Sequence, residues 1–180
     1  MEKGQIILIC GGSGSGKSTL AKKFGDAAII STDNFYIGKS KMIPMENGEY
    51  DFDDPCAVDL DECAKMALNL AGGKEVFVPE YDMVTSERVG QIKIIPAKSG
   101  LVVVEGVFAL HDTLRQIGNL KIFIDTPTDE RLARRIKRDN ERGRSEAEVI
   151  KHSTQVEASH KRHIEPMKQH ADLILGREGW

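Results

Sequence analysis

The sequence predicts an α/β fold, a three-layer sandwich of about five parallel strands flanked by helices. Three observations carry this. Short aliphatic and β-branched runs recur along the chain, at 5–10, 27–31, 101–104, 120–125 and 171–175. They are continuous rather than alternating, as strands buried on both faces read. Stretches with helix-start signals separate most of these runs. The first run leads straight into Gly11-Gly12-Ser13-Gly14-Ser15-Gly16-Lys17-Ser18-Thr19 and then a helix.

That loop fits the P-loop pattern G-x-x-x-x-G-K-[ST]. Its glycines let successive N–H groups turn inward, and the helix N-terminus adds partial positive charge. The nest formed by Gly12, Ser13, Gly14, Ser15 and Gly16 suits phosphate oxygens. Lys17 is placed to reach the β- and γ-phosphates of a nucleoside triphosphate, and the Ser18 hydroxyl to hold Mg2+. Thr19 follows in the first helical turn. A bare Gly/Ser linker is the bland alternative, and the framing strand and helix disfavour it. The helix continues through Leu20–Phe24, and Gly25 suits its end. The fold class is thus of the P-loop NTPase type.

At 180 residues the chain can bury a substantial core, and one domain over 1–180 is expected. A net charge of −3 argues against a nucleic-acid binder working through bulk charge. No apolar run approaches the roughly 20 residues of a membrane span. The first run enters the glycine loop at once, so it reads as a strand and not a signal peptide. Cys10, Cys56 and Cys63 have no C-x-x-C spacing, so neither disulfides nor zinc are expected, and a cytoplasmic location fits.

The second run ends in Thr32-Asp33-Asn34-Phe35-Tyr36. Functional groups in open α/β sheets gather at the carboxyl ends of strands. Asp33 there could take the proton from an attacking hydroxyl, or merely start a turn. Residues 37–50 read as a loop or irregular hairpin. Asp51, Asp53 and Asp54 beside Tyr50 and Phe52 form an unusual acidic run, or a solvated turn. Asp59-x-x-Glu62 predicts a capping box for a helix over 60–71. Residues 75–79 and 90–95 predict two strands of a flap, about 75–95, against the main sheet. The segment between them carries Tyr81, Asp82 and Arg88.

Glu105 ends the strand at 101–104, where a carboxylate can orient Mg2+ or its waters. Residues 111–117 read as a short helix or turn. Thr126 as N-cap and Pro127 at the first position predict a helix that stops near Gly143. From Arg131 to Arg144 it carries seven basic residues, six of them arginine. Arginine suits multidentate phosphate binding, and a lid over about 131–145 would stabilise charge in phosphoryl transfer. A solvated face with i,i+4 pairs is the alternative. Ser145-x-x-Glu148 is a second capping box, opening a long helix that ends before Pro166. His152, His160, His163 and His170 read as surface residues.

Together these motifs resemble the uridine kinase family, within the phosphoribulokinase and uridine kinase group of P-loop kinases. The matching pieces are the glycine loop, Asp33-Asn34-Phe35-Tyr36, Phe52-Asp53-Asp54-Pro55, Pro79-Glu80-Tyr81-Asp82 with Arg88, and Glu105-Gly106-Val107. They continue with Phe123-Ile124-Asp125, the run from Arg131 to Asp139, Arg142-Gly143-Arg144 and Glu165-Pro166-x-Lys168-x-x-Ala171-Asp172. The resemblance implies phosphoryl transfer from ATP, or GTP, to the 5′-hydroxyl of uridine or cytidine. It implies Asp33 as general base near the metal, and Ser18 and Glu105 on Mg2+. Asp53 with Arg135 would bind the ribose, and Tyr36 and Tyr81 would line the nucleoside pocket. Arg138 and Arg142 would cover the phosphates, with Arg144 close by. A small nucleoside-like substrate is the expected partner, with neither nucleic acid nor membrane, and a homo-oligomer fits the family.

Ser86 stands where the family usually has a base-reading histidine, and the lid is one residue shorter between Asp139 and Arg142. The acceptor therefore stays open between uridine or cytidine and another hydroxylated compound: nicotinamide riboside, pantothenate or a sugar phosphate. A nucleotide-hydrolysing switch is a further alternative, although the chain has no guanine-reading N-K-x-D motif.

Overall fold

β1 (Ile6–Gly11) is buried along its whole length, which places it at the centre of the sheet. This computed structural model describes residues 4–46, 48 and 50–176. The strands that join β1 are β2 (Ala28–Ser31), β5 (Val102–Glu105), β6 (Leu120–Ile124) and β7 (Leu173–Leu175), all parallel, in the order β2-β5-β1-β6-β7. The five strands expected from the apolar runs are these five. Alternation is hidden inside the continuous runs. Ile6, Leu8 and Cys10 face a core shared with Phe35, Phe108 and Leu110, while Ile7 and Ile9 face Leu20, Val103 and Ile122 on the other side.

Helix α1 (Lys17–Lys22) follows the glycine loop, and its Leu20 and Ala21 cover the second face. Helix α2 (Leu60–Ala71) and the single turn α3 (Asp112–Arg115) cover the first. The Asp59 side chain accepts from the Glu62 amide, as the capping box requires. The reciprocal half of the box does not form: Glu62 turns instead to Arg88, 2.8 Å away.

The flap is an antiparallel pair, β3 (Val76–Asp82) and β4 (Glu87–Ile94), separate from the main sheet. Its strands run further toward the tip than expected, leaving a four-residue turn at 83–86. Val76 and Val78 join the core beside α2, and Asn34 Nδ2 donates to the Pro79 carbonyl from the turn after β2. The loop expected at 37–50 holds one 3-10 turn, Lys39–Lys41, with positions 47 and 49 outside the described residues.

Helix α4 (Thr128–Glu141) starts one residue later than expected, with Pro127 at the cap and no side-chain cap. The Thr126 hydroxyl donates to the Ser15 carbonyl at 3.0 Å, so it ties the helix start to the glycine loop instead. Helix α5 (Glu146–Ser159) has the full Ser145–Glu148 capping box. A wider π turn, His160–Ile164, and a 3-10 turn, Glu165–His170, lead into β7. His160 is half-buried in this bend, not on the open surface as expected. Among the described residues no helix is long and apolar enough to cross a membrane.

Candidate active site

Three strand ends meet beside the glycine loop. β1 delivers the loop, β2 delivers Asp33 and β5 delivers Glu105, all at the carboxyl edge where the strand order changes direction. Gly106 makes the junction tight. A Cβ there would fall 1.7 Å from the Thr32 hydroxyl, so only glycine lets the ends of β2 and β5 approach.

The loop itself is clamped by α4. Gly14 has φ +82, and a Cβ there would lie 2.5 Å from the Arg131 carbonyl. The Arg131 side chain, 4% exposed, lies against Gly12. Its Nε donates to the Thr126 carbonyl and its Nη2 to Thr128 and Glu157, the last at 2.8 Å. Arg134 Nη1 reaches the Ser15 carbonyl at 3.4 Å.

The resulting cavity, about 290 Å3, is lined among others by Lys17, Ser18, Asp33, Glu105, Arg134 and Arg138. Lys17 Nζ donates to the Gly12 carbonyl at 2.9 Å, and Ser18 Oγ donates to Glu105 Oε1 at 3.1 Å. Burial pushes the Lys17 ammonium below its ordinary value, against the opposing pull of Glu105 and Asp33. Burial also pushes the Glu105 carboxyl up, with Lys17 holding it down and Asp33 adding to the rise. One hydroxyl, one carboxylate and room for water and phosphate oxygens suit Mg2+, which keeps several waters and takes few protein ligands. Among the described residues no group of three His, Cys, Asp or Glu could hold a metal. Cys10, buried beneath the loop, has its thiol pushed up to about 11 by burial and is no nucleophile there.

Beyond Asp33 lies a second, aromatic wall. Tyr36 tilts against Tyr81 at 5.1 Å between ring centroids and meets Phe52 edge-on at 6.2 Å. Burial, then Asp33 and Asp53, pushes the Tyr36 hydroxyl well above its ordinary value. Asp53 is also pushed up, by burial and then Asp51, while Arg135 opposes the rise. Ser159 Oγ of α5 donates to the Asp53 carbonyl at 2.7 Å, fixing that loop.

The structure thus gathers Gly14, Gly16, Lys17, Ser18, Thr19, Asp33, Glu105 and Arg138 around one cavity, with Ser13 beside them. It gathers Tyr36 and Tyr81 beside it. Arg88 is used up as a brace: Nε donates to the Tyr36 carbonyl, Nη2 to the Phe35 carbonyl and Nη1 to Glu62. Ser86 sits in the hairpin turn at φ +58, where its carbonyl accepts from the Lys39 amide. Arg142 and Arg144 are exposed and do not line the cavity. Arg134 was not singled out in the sequence. The signal was there, since 131, 134, 135 and 138 share one helical face at i, i+3, i+4 and i+7.

This fold, with a lysine, a hydroxyl, two carboxylates and two arginines around a P-loop, defines a P-loop kinase. The chain belongs to the phosphoribulokinase / uridine kinase family, which matches residues 6–179. It is a phosphotransferase with an alcohol acceptor. It is 37% identical to a protein named uridine kinase from Staphylococcus epidermidis, over 99% of this chain and 90% of that one. It is 38% identical to uridine-cytidine kinase A from Dictyostelium discoideum, over 96% of this chain and 36% of that longer one. Among solved structures, phosphoribulokinase from Rhodobacter spheroides superposes with a TM-score of 0.67 at 15% identity, covering 98% of this chain and 71% of that one. D-glycerate 3-kinase from Cryptococcus neoformans gives 0.59 at 14% identity, covering 93% and 81%. These two show the shared fold.

Proposed function

We propose that the protein transfers the γ-phosphoryl group of ATP to the 5′-hydroxyl of uridine or cytidine. The observation that carries this reading is the position of Asp33. It lines the phosphate cavity beside Glu105 and Lys17, and its charge is felt at Tyr36 in the aromatic wall. A nucleoside stacked along Tyr36 and Tyr81 would present its hydroxyl between the two. The two relatives named for uridine support the nucleoside as acceptor.

The roles follow from position. The glycine loop amides cradle the phosphates, and Lys17 exchanges the Gly12 carbonyl for a phosphate oxygen. Ser18 and Glu105 would hold Mg2+, which would supply positive charge to offset that on the phosphates. Asp33 accepts the proton of the attacking hydroxyl. Asp53, whose upward shift the nearby Arg135 charge opposes, accepts hydrogen bonds from the ribose hydroxyls. Arg134 and Arg138 face the cavity from α4 and stabilise the charge that spreads over the transferring group. Little covalent chemistry is asked of the protein, so positioning and charge carry the rate.

The test is consumption of Mg2+-ATP in the presence of uridine, cytidine, adenosine, nicotinamide riboside, pantothenate or ribulose 5-phosphate. Stimulation by uridine or cytidine with the 5′-monophosphate as product is expected. Stimulation by another acceptor alone overturns the acceptor, and turnover that ignores every acceptor overturns the kinase reading in favour of hydrolysis.

A further inference from the structure

A second cavity, about 460 Å3, lies between α4 and α5 and shares no lining residue with the phosphate cavity. From α4 it is lined by Thr128, Arg131, Leu132 and Arg135, and from α5 by Glu157 and the lysine that follows in the π turn, Lys161, among others. Arg131 and Glu157 neutralise each other across 2.8 Å. Arg135 has no such partner. It is 9% exposed, its Nε makes no hydrogen bond, and among the described residues no ion pair to it forms. Burial presses hardest against its charged form; the nearby Asp139 and Asp53 charges support that form, and Arg138 and Arg131 oppose it. Lys161 is exposed at the cavity rim and also has no carboxylate partner among the described residues.

A buried guanidinium with no direct ion pair and an unbonded Nε leaves hydrogen-bonding capacity unused, which is unfavourable. The cavity beside it carries a net positive lining with hydroxyls from Ser153 and Thr154. Arginine pairs with phosphate through a planar fork of donors, with Lys as an added point charge.

We propose that the α4–α5 cavity is a second anion site, which takes a phosphate group on Arg135 and Lys161 and is separate from the donor pocket. The group comes either as orthophosphate or as a phosphate monoester. The stem of Arg135 lies 3.2 Å from the position of a Gly14 Cβ, so an occupant would bear on the glycine loop from behind. The ribose reading of Asp53 uses the charge of Arg135, and the anion site uses its hydrogen-bond donors. The two are tested by different readouts.

The test is titration calorimetry on the full chain, saturated with Mg2+ and a non-hydrolysable ATP analogue so that the P-loop is filled. Orthophosphate and ribose 5-phosphate are the two probes. One site is expected for at least one of them, with the tighter probe naming the source. Lys161→Ala is expected to weaken it about tenfold, the loss of one charge-assisted bond. Arg135→Leu is expected to abolish it and, without phosphate, to raise Tm, because it removes a buried charge that makes no direct ion pair. Binding that disappears once the ATP analogue is present, no binding of either probe, or binding unchanged in both variants overturns the site. A lowered Tm for Arg135→Leu with phosphate binding intact would make Arg135 a structural residue and overturn it as well.

Discussion

The Ser18 hydroxyl donates to Glu105 across 3.1 Å, joining the first turn of α1 to the end of β5. This is the pair that would meet the metal, and it is built from an element of the P-loop and a strand 87 residues further on. Glu105 is buried enough that its carboxyl is held above its ordinary value of 4.5. The folded protein therefore keeps a proton that the unfolded chain has already lost. Stability from this group is full below 4.5 and falls as pH rises through the raised value.

Glu105→Gln removes that charge without changing shape. Its Tm should exceed that of the unaltered protein at pH 7, and the difference should vanish near pH 4. Mg2+-dependent turnover should fall about 10–100-fold, the usual effect of disturbing a metal site. Thermal unfolding across pH, paired with a rate assay, checks both. A lower Tm at pH 7 would mean that Glu105 is paired more strongly than its burial costs.

Asp33→Asn should keep the shape of the cavity and remove the base. Turnover with the best acceptor should drop about 10²–10⁴-fold, with little change in the KM for ATP. A drop under about tenfold would remove Asp33 from the proton step.

Gly106→Ala would drive a methyl group into Thr32 at a distance no atoms tolerate. Overpacking of this kind costs about 1–3 kcal/mol. Urea unfolding should show it as a lower midpoint at unchanged slope. Thr32→Ala should relieve it only in part, since the Thr32 Cβ also lies 2.7 Å from the added group.

Arg88→Lys keeps the charge but cannot span Phe35, Tyr36 and Glu62 at once. The turn that carries Tyr36 should loosen, at about 1–3 kcal/mol for the lost charge-assisted bonds. The KM for the acceptor should rise several-fold while the KM for ATP stays within twofold. Equal rises in both would show that the brace supports the whole site and not the acceptor side.

The chain's order of strands, the glycine loop and the acidic residues at strand ends are legible in the sequence. They are local: an apolar run, a loop that needs glycine, and a carboxylate at or just past the end of a strand all sit within a few positions of each other. Pairings across long separations were not legible. Nothing in the sequence says that Glu62 leaves its capping box for Arg88, 26 residues on, or that Thr126 serves the Ser15 carbonyl rather than its own helix. Likewise the seven basic residues of 131–144 look alike in the sequence. Tertiary structure divides them: Arg131 clamps the glycine loop, Arg134 and Arg138 line the cavity beside that loop, Arg135 is buried beside a second cavity, and Arg142 and Arg144 point to solvent. The reason is physical. Periodicity and turn chemistry act through neighbours in the chain, so the sequence determines the elements and the loop. A side chain's partner is chosen by which strand ends and helix faces the fold brings within a few ångströms, and that is decided only when the core has formed.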